Sequence, residues 1–217
     1  CYISVGGVKL MAEVIKVIGK NAFVQVFEST RGMRVGDEAE FEGHMLEVTL
    51  GPGMLSRNYD GLQNDLDKME GVFLRRGEYT FPLDNDKLWD FKPLAKVGDK
   101  VTAGGWLGEV DENFQPHKIM VPFTFKGEYT VKSLKEAGQY TIGEVIAVLT
   151  DETGKDVEVT MIQRWPVKRA ITCYKEKPRP YKLLETGVRT IDTVNPIVEG
   201  GTGFIPGPFG TGKTVLQ

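Results

Sequence analysis

A basic excess, paired cysteines and long apolar runs are all missing from this chain. Lys and Arg number 27 against 30 Asp and Glu, giving a formal net charge of -3. No basic face is implied, and nucleic acid is not expected as a partner. The two cysteines, Cys1 and Cys173, exclude a disulfide framework and fit a reducing compartment. The two histidines, His44 and His117, stand far from any second ligand of zinc-site spacing, so each reads as a surface or hydrogen-bonded histidine. No apolar run approaches the roughly 20 residues of a membrane span. No signal-peptide pattern opens the chain. It starts at Cys1 without an initiator methionine, and the expectation is an internal piece of a longer protein. Its 217 residues suffice for one or two small domains with cores of their own.

Glycine is plentiful, and near the C-terminus it is placed to a purpose. Gly207-Pro208-Phe209-Gly210-Thr211-Gly212-Lys213-Thr214 matches G-x-x-x-x-G-K-[ST] without substitution. Such a loop curls so that successive N–H groups point at one anion, and a side chain at Gly210 or Gly212 would crowd phosphates. Lys213 is expected to reach the β- and γ-phosphates as a point charge, and the Thr214 hydroxyl to ligate Mg2+. The candidate nucleotide-contacting residues are Gly207, Pro208, Phe209, Gly210, Thr211, Gly212, Lys213, Thr214 and Val215. Of these, Lys213 is the catalytic candidate and Thr214 the metal ligand. The motif names ATP or ADP with magnesium as ligand class. It does not name a reaction, because unrelated chemistries use the same loop. An acidic magnesium partner and a water-activating group are expected downstream of it.

The rest of the chain reads as mainly β. Val14–Ile18 and Phe23–Phe27 flank the turn cluster Gly19-Lys20-Asn21. The alternation over Asp37–Glu42, and then at Leu46, Val48 and Leu50, predicts a hairpin with one buried face. These short strands suggest a small barrel over residues 1–53. In the connecting segment 54–87, Leu55, Tyr59, Leu62, Leu66 and Met69 recur at three- and four-residue steps and predict one or two helical turns. A second β-rich block occupies residues 88–164, with strands at Ile119–Pro122, Glu128–Val131 and Glu144–Leu149. There Val97-Gly98-Asp99-Lys100 echoes Val35-Gly36-Asp37-Glu38. His117-Lys118-Ile119-Met120 faintly resembles a biotin- or lipoyl-carrier hairpin. The usual neighbours of the modifiable lysine are absent, so the block reads as structural. Residues 165–217 open with the boundary Trp165-Pro166. They continue through a Pro-containing extended linker over Lys175–Lys182. Leu184, Val188 and Ile191 then share a helical face, and Phe204-Ile205 reads as the strand before the loop.

Taken together, several segments resemble the catalytic A subunit of V-type and archaeal-type rotary ATPases. They are Met161-Ile162-Gln163-Arg164-Trp165-Pro166-Val167, Thr186-Gly187-Val188-Arg189-Thr190-Ile191-Asp192, Gly200-Gly201-Thr202 and the loop Gly207–Thr214. Leu50-Gly51-Pro52-Gly53 and His117-Lys118-Ile119-Met120-Val121-Pro122 extend the resemblance over essentially the whole chain. It implies an N-terminal β-barrel whose first strand precedes Cys1. It also implies a β-rich insertion matching block 88–164, and the start of a RecA-like α/β nucleotide-binding domain. It further implies ATP hydrolysis or synthesis coupled to proton or sodium transport, on the cytoplasmic face of a membrane. The implied partners are the B subunits of an alternating A3B3 ring, central and peripheral stalk subunits and, indirectly, a membrane sector. Two other readings stay open. The chain could act only as a structural and interaction module of the ring, or it could come from an F-type or flagellar-export catalytic subunit.

Overall fold

β-Branched and aromatic residues at alternating positions make this chain mainly β. The computed structural model describes residues 1–71, 73–174 and 176–217. Lys175, the first residue of the expected linker, lies outside the described residues. The chain divides into two units, Cys1–Cys173 and Tyr174–Gln217.

The first unit begins with β1 (Tyr2–Val5), β2 (Val8–Ile18), β3 (Asn21–Val26) and β4 (Ala39–Glu40). They form an antiparallel sheet in the order β3-β2-β1-β4 around buried Val5, Leu10 and Ala12. The Tyr79 hydroxyl fastens β2 to the later chain: it accepts from the Met11 N–H at 2.7 Å and donates to Glu28. Burial, and then the bond to Glu28, hold that hydroxyl's pKa well above the usual tyrosine value.

β5 (Glu47–Leu50) does not form the expected hairpin with the segment before it. It pairs antiparallel with β14 (Gln163–Pro166), placing Val48 opposite Trp165, while β4 pairs with β1. The edge of β5 away from β14 is occupied by a side chain. The Gln63 amide accepts from Thr49 N–H and donates to Thr49 C=O, both at 2.7 Å, as a strand would. Alternation identified β5 as half-buried, but alternation does not name a strand's partner.

The helical turns expected over Leu55–Met69 reduce to one 3-10 turn, Leu66–Lys68. Asp60 explains the loss. Its carboxylate accepts from the N–H groups of Leu62 (2.9 Å) and Asn64 (2.8 Å) and from the Asn64 side chain. A carboxylate that captures nearby backbone donors competes with a helix for them. Ser56 and Gln63 also take positive φ, 61° and 64°, which no helix accommodates.

The remaining strands are β6 (Leu88–Pro93), β7 (Lys100–Val101), β8 (Trp106–Glu112), β9 (Gln115–Met120), β10 (Tyr129–Leu134), β11 (Gly138–Thr141), β12 (Ala147–Asp151) and β13 (Asp156–Val159). Two four-stranded sheets result, β11-β6-β8-β9 and β13-β12-β10-β7. One cluster gathers Leu83, Trp89, Phe91, Val110, Ile119, Ile142, Ile146 and Met161. A second gathers Leu107, Val121, Val131, Ala147, Leu149 and Val159, and Leu134 packs against both. At Gly108 a Cβ would lie 2.2 Å from the buried Phe91 ring, so β8 passes there only as glycine.

The repeated Val-Gly-Asp is one turn used twice. Asp37 accepts from Arg34 N–H at 2.7 Å, and Asp99 accepts from Lys96 N–H at 2.8 Å. Gly36 and Gly98 take φ of 102° and 94°, a region that strains other residues. A short strand follows each turn, β4 and β7.

Glu112 is 3% exposed and ties the β8–β9 hairpin to the Gly51-Pro52-Gly53 corner. One oxygen accepts from Gly53 N–H (2.7 Å) and Leu55 N–H (3.0 Å); the other meets His117 Nδ1 at 2.6 Å. Three partners offset much of the cost of burying this carboxylate.

In the second unit, α1 (Arg189–Val194) starts later than the apolar spacing predicts. Leu184 is not on it; its N–H donates to Ile197 C=O at 2.8 Å, beside the Lys182–Glu199 ion pair. Asp192 holds the preceding turn, accepting from the Thr186 hydroxyl (2.6 Å), Thr186 N–H (3.1 Å) and Gly187 N–H (3.0 Å). The Thr186 hydroxyl and then those N–H groups keep the Asp192 carboxyl below its ordinary pKa.

Two predictions arise here. Glu112→Ala leaves the part-buried Gly53 and Leu55 N–H groups and His117 without their acceptor and lowers stability by about 1–3 kcal/mol in urea unfolding. Glu112→Gln keeps an acceptor and loses less; equal losses would contradict this account. Because the Asp192 pKa is depressed, its contribution is present above the unfolded value of about 4 and is lost as pH falls through the folded value. The Thr186 and Gly187 amide resonances therefore titrate with a midpoint below about 4, and in Asp192→Asn that titration disappears.

Candidate functional site

The phosphate-type loop lies wholly within the second unit. Phe204 and Ile205, expected as the strand before it, form no strand among the described residues, and Phe204 is 86% exposed. An apolar run becomes a strand only when a neighbour supplies the ladder hydrogen bonds. After the loop, α2 (Lys213–Leu216) begins at Lys213.

Within the loop, Gly210 and Gly212 adopt left-handed φ of 81° and 79°. A Cβ built at either glycine meets no atom within 4 Å, so that side of the backbone is open. Among the described residues, the backbone N–H groups of Gly210, Gly212, Lys213 and Thr214 enter no hydrogen bond. A bent, side-chain-free backbone with unspent donors is what an anion of phosphate size requires.

The Lys213 ammonium rests on the loop itself. It donates to the carbonyls of Gly207 and Pro208, the latter at 2.8 Å. The Thr211 hydroxyl donates to the same Pro208 carbonyl at 2.8 Å. Thr214 is exposed, as are Phe209 and Val215. The sequence candidates therefore fall into two groups. Gly207, Pro208, Gly210, Thr211, Gly212 and Lys213 are brought together by these bonds and bends. Phe209, Thr214 and Val215 project outward.

The donor set suits a magnesium nucleotide. Lys213 supplies positive charge, and the Thr214 hydroxyl supplies one hard oxygen ligand of the kind magnesium prefers. Magnesium normally completes its shell with phosphate oxygens and water rather than with a protein cage. Among the described residues no three His, Cys, Asp or Glu side chains are grouped for a metal.

Other candidates resolve as structure. Lys118 is ion-paired with Glu109 and lies 4.9 Å from the Trp106 ring centre, while the hairpin tip is at Asn113-Phe114. It is therefore not the projecting lysine of a carrier hairpin. His117 is bound to Glu112, and His44 lies 3.8 Å from both Glu42 and Glu47. A cavity of about 770 Å³ in the first unit, lined by Tyr2, Glu13, Glu47, Gln63, Arg164 and Lys168 among others, includes no loop residue. Among the described residues no helix is long and apolar enough to cross a membrane. Sequence reasoning placed the loop but assigned nothing to the Thr211 side chain. A hydroxyl three residues after the Pro208 carbonyl was the available signal.

Known proteins match both units. Residues 1–43 match the family model described as ATP synthase alpha/beta family, beta-barrel domain. Residues 80–168 match the one described as ATPsynthase alpha/beta subunit barrel-sandwich domain. The V-type ATP synthase alpha chain of Treponema denticola is 49% identical over all of this chain, which covers 37% of that relative. The V-type ATP synthase alpha chain 1 of Treponema pallidum is 48% identical, with 37% of it covered. The V-type ATP synthase alpha chain of Borrelia garinii subsp. bavariensis is 48% identical, with 38% covered. The chain thus spans little more than a third of the length of these relatives. Near-half identity extending through both units, with two matched β domains, makes the chain a member of the V-type ATP synthase alpha-chain family.

Proposed function

We propose that this chain carries the phosphate anchor of an ATP-binding catalytic subunit, within an enzyme that couples ATP hydrolysis or synthesis to proton or sodium transport. The observation that carries the reading is the loop. Among the described residues the N–H groups of Gly210, Gly212, Lys213 and Thr214 have no partner; two of these are left-handed glycines, and the Lys213 ammonium lies beside them. The family supports the rest, since relatives bearing the V-type ATP synthase alpha-chain name align with the whole chain. That also favours this reading over an F-type or flagellar-export subunit.

The chain's own residues would bind and orient. Gly210 to Thr214 would offer N–H groups to the phosphate oxygens of ATP or ADP. Lys213 would leave the Gly207 and Pro208 carbonyls for the β- and γ-phosphates, where its charge opposes the charge that develops during transfer. Thr214 would hold Mg2+, which would supply positive charge to offset the charge developing on the phosphates. Gly207, Pro208, Phe209, Thr211 and Val215 complete the proposed contact set. The proposed setting is the cytoplasmic face of a membrane, in a ring that alternates with B subunits and is served by central and peripheral stalk subunits.

A second reading concerns the first unit as an interaction module of that ring. It is favoured by the β2–β3 ribbon, where Ile15, Val17 and Phe23 are 61%, 64% and 54% exposed. A two-stranded ribbon with apolar residues in water is stabilised by contact with a partner surface. Both readings can hold, one for each unit.

Lys213→Ala, made in a protein of the relatives' full length and assembled with its ring partners, lowers ATP turnover by about a hundredfold or more. Its far-ultraviolet circular dichroism stays unchanged, because Lys213 belongs to neither hydrophobic cluster. Near-normal turnover would contradict the assignment.

A further inference from the structure

The Pro208 carbonyl accepts two donors, Lys213 Nζ and Thr211 Oγ1, each at 2.8 Å. A carbonyl oxygen has two lone pairs, so both can be held at once. The two donors differ in what happens when a phosphate arrives. Lys213 is a mobile cation and is drawn away. Thr211 is a neutral hydroxyl on a short side chain whose χ1 is stiff.

We propose that Thr211 is a positioning residue of the phosphate site, whose hydroxyl keeps the Pro208 carbonyl in place once Lys213 has moved to the phosphates. The inference rests on the nucleotide reading of the loop. Three features of the geometry carry it. First, Thr211 sits between the two left-handed glycines, Gly210 and Gly212, the softest joints of the loop. Second, neither glycine has an atom within 4 Å of its Cβ position, so packing does not fix those joints. Third, the hydroxyl is closely seated: a Cβ on Gly207 would lie 2.5 Å from Thr211 Oγ1. The Thr211–Pro208 bond therefore closes the bend over Phe209-Gly210 from inside the loop. With Lys213 resting on the same carbonyl, the bend has two fasteners. When the lysine leaves, the hydroxyl remains, and the N–H groups of Gly210, Gly212 and Lys213 stay in a shape that receives phosphate. Without it, each binding event must also reform the bend, and affinity falls by that amount.

The test compares Mg-ADP binding to the wild-type protein at full length with binding to Thr211→Val, Thr211→Ser and Lys213→Ala. Valine preserves the shape and β-branching but removes the hydroxyl; serine restores it. Thr211→Val should bind about fivefold more weakly, the size of one modest hydrogen bond. Thr211→Ser should recover most of that loss, and Lys213→Ala should be weaker than either. Circular dichroism checks that all variants fold alike, and the exposed position of Thr211 makes this the expected result. Binding by Thr211→Val equal to wild type, with Lys213→Ala impaired, overturns the positioning role and leaves the nucleotide reading standing. Serine as weak as valine overturns it too, since side-chain shape and not the hydroxyl would then matter. No binding by wild type, or binding indifferent to Lys213, overturns both.

Discussion

At several points of this chain carboxylates satisfy backbone amides that the strand ladders leave over. Asp37 and Asp99 catch the N–H three residues back, and Asp60 catches Leu62 and Asn64. Asp151 catches Thr153 and Lys155, Glu112 catches Gly53 and Leu55, and Asp192 catches Thr186 and Gly187. The cause is general: a backbone donor needs an acceptor, and a chain broken into many short strands has many donors outside its ladders. In the phosphate-type loop no carboxylate does this among the described residues. Its donors at Gly210, Gly212, Lys213 and Thr214 have no acceptor among the described residues. At those turns the anion is the chain's own; at this loop the proposed anion is a ligand's.

The same constraint decides what the sequence could reveal. The Val-Gly-Asp echo was legible because turn chemistry is local: glycine supplies the positive φ and Asp bonds within four residues. Strands β2, β3, β10 and β12 were legible for a similar reason, since an apolar strand pattern is a property of one segment, whereas the strand expected at Ile119–Pro122 shares just Ile119 and Met120 with β9. Partnership is not local. Nothing in Leu46, Val48 and Leu50 says that β14, far along the chain, lies on one side of β5 and the Gln63 amide on the other. The helical spacing over 55–69 was genuine, yet Asp60 and two positive-φ residues overrode it. Phe204 and Ile205 carry the composition of a strand but pair with none among the described residues.

The candidate site was the most legible feature, because the motif depends on residue type and order alone. What the motif could not supply was the arrangement at the Pro208 carbonyl. There Lys213 and Thr211 converge, and Lys213 is held on the loop's own backbone. Membership of the V-type ATP synthase alpha-chain family accounts for the two β-rich regions that precede the loop.

The central claim is that the open amides of this loop are the phosphate contacts. It is tested most directly by following the proton–nitrogen amide resonances of the chain as Mg-ADP is added. The account predicts that Gly210, Gly212, Lys213 and Thr214 shift together and saturate at one concentration, whereas adenosine without phosphates leaves them in place. Shifts confined to residues outside Gly207–Thr214, or equal responses to adenosine and Mg-ADP, would contradict it.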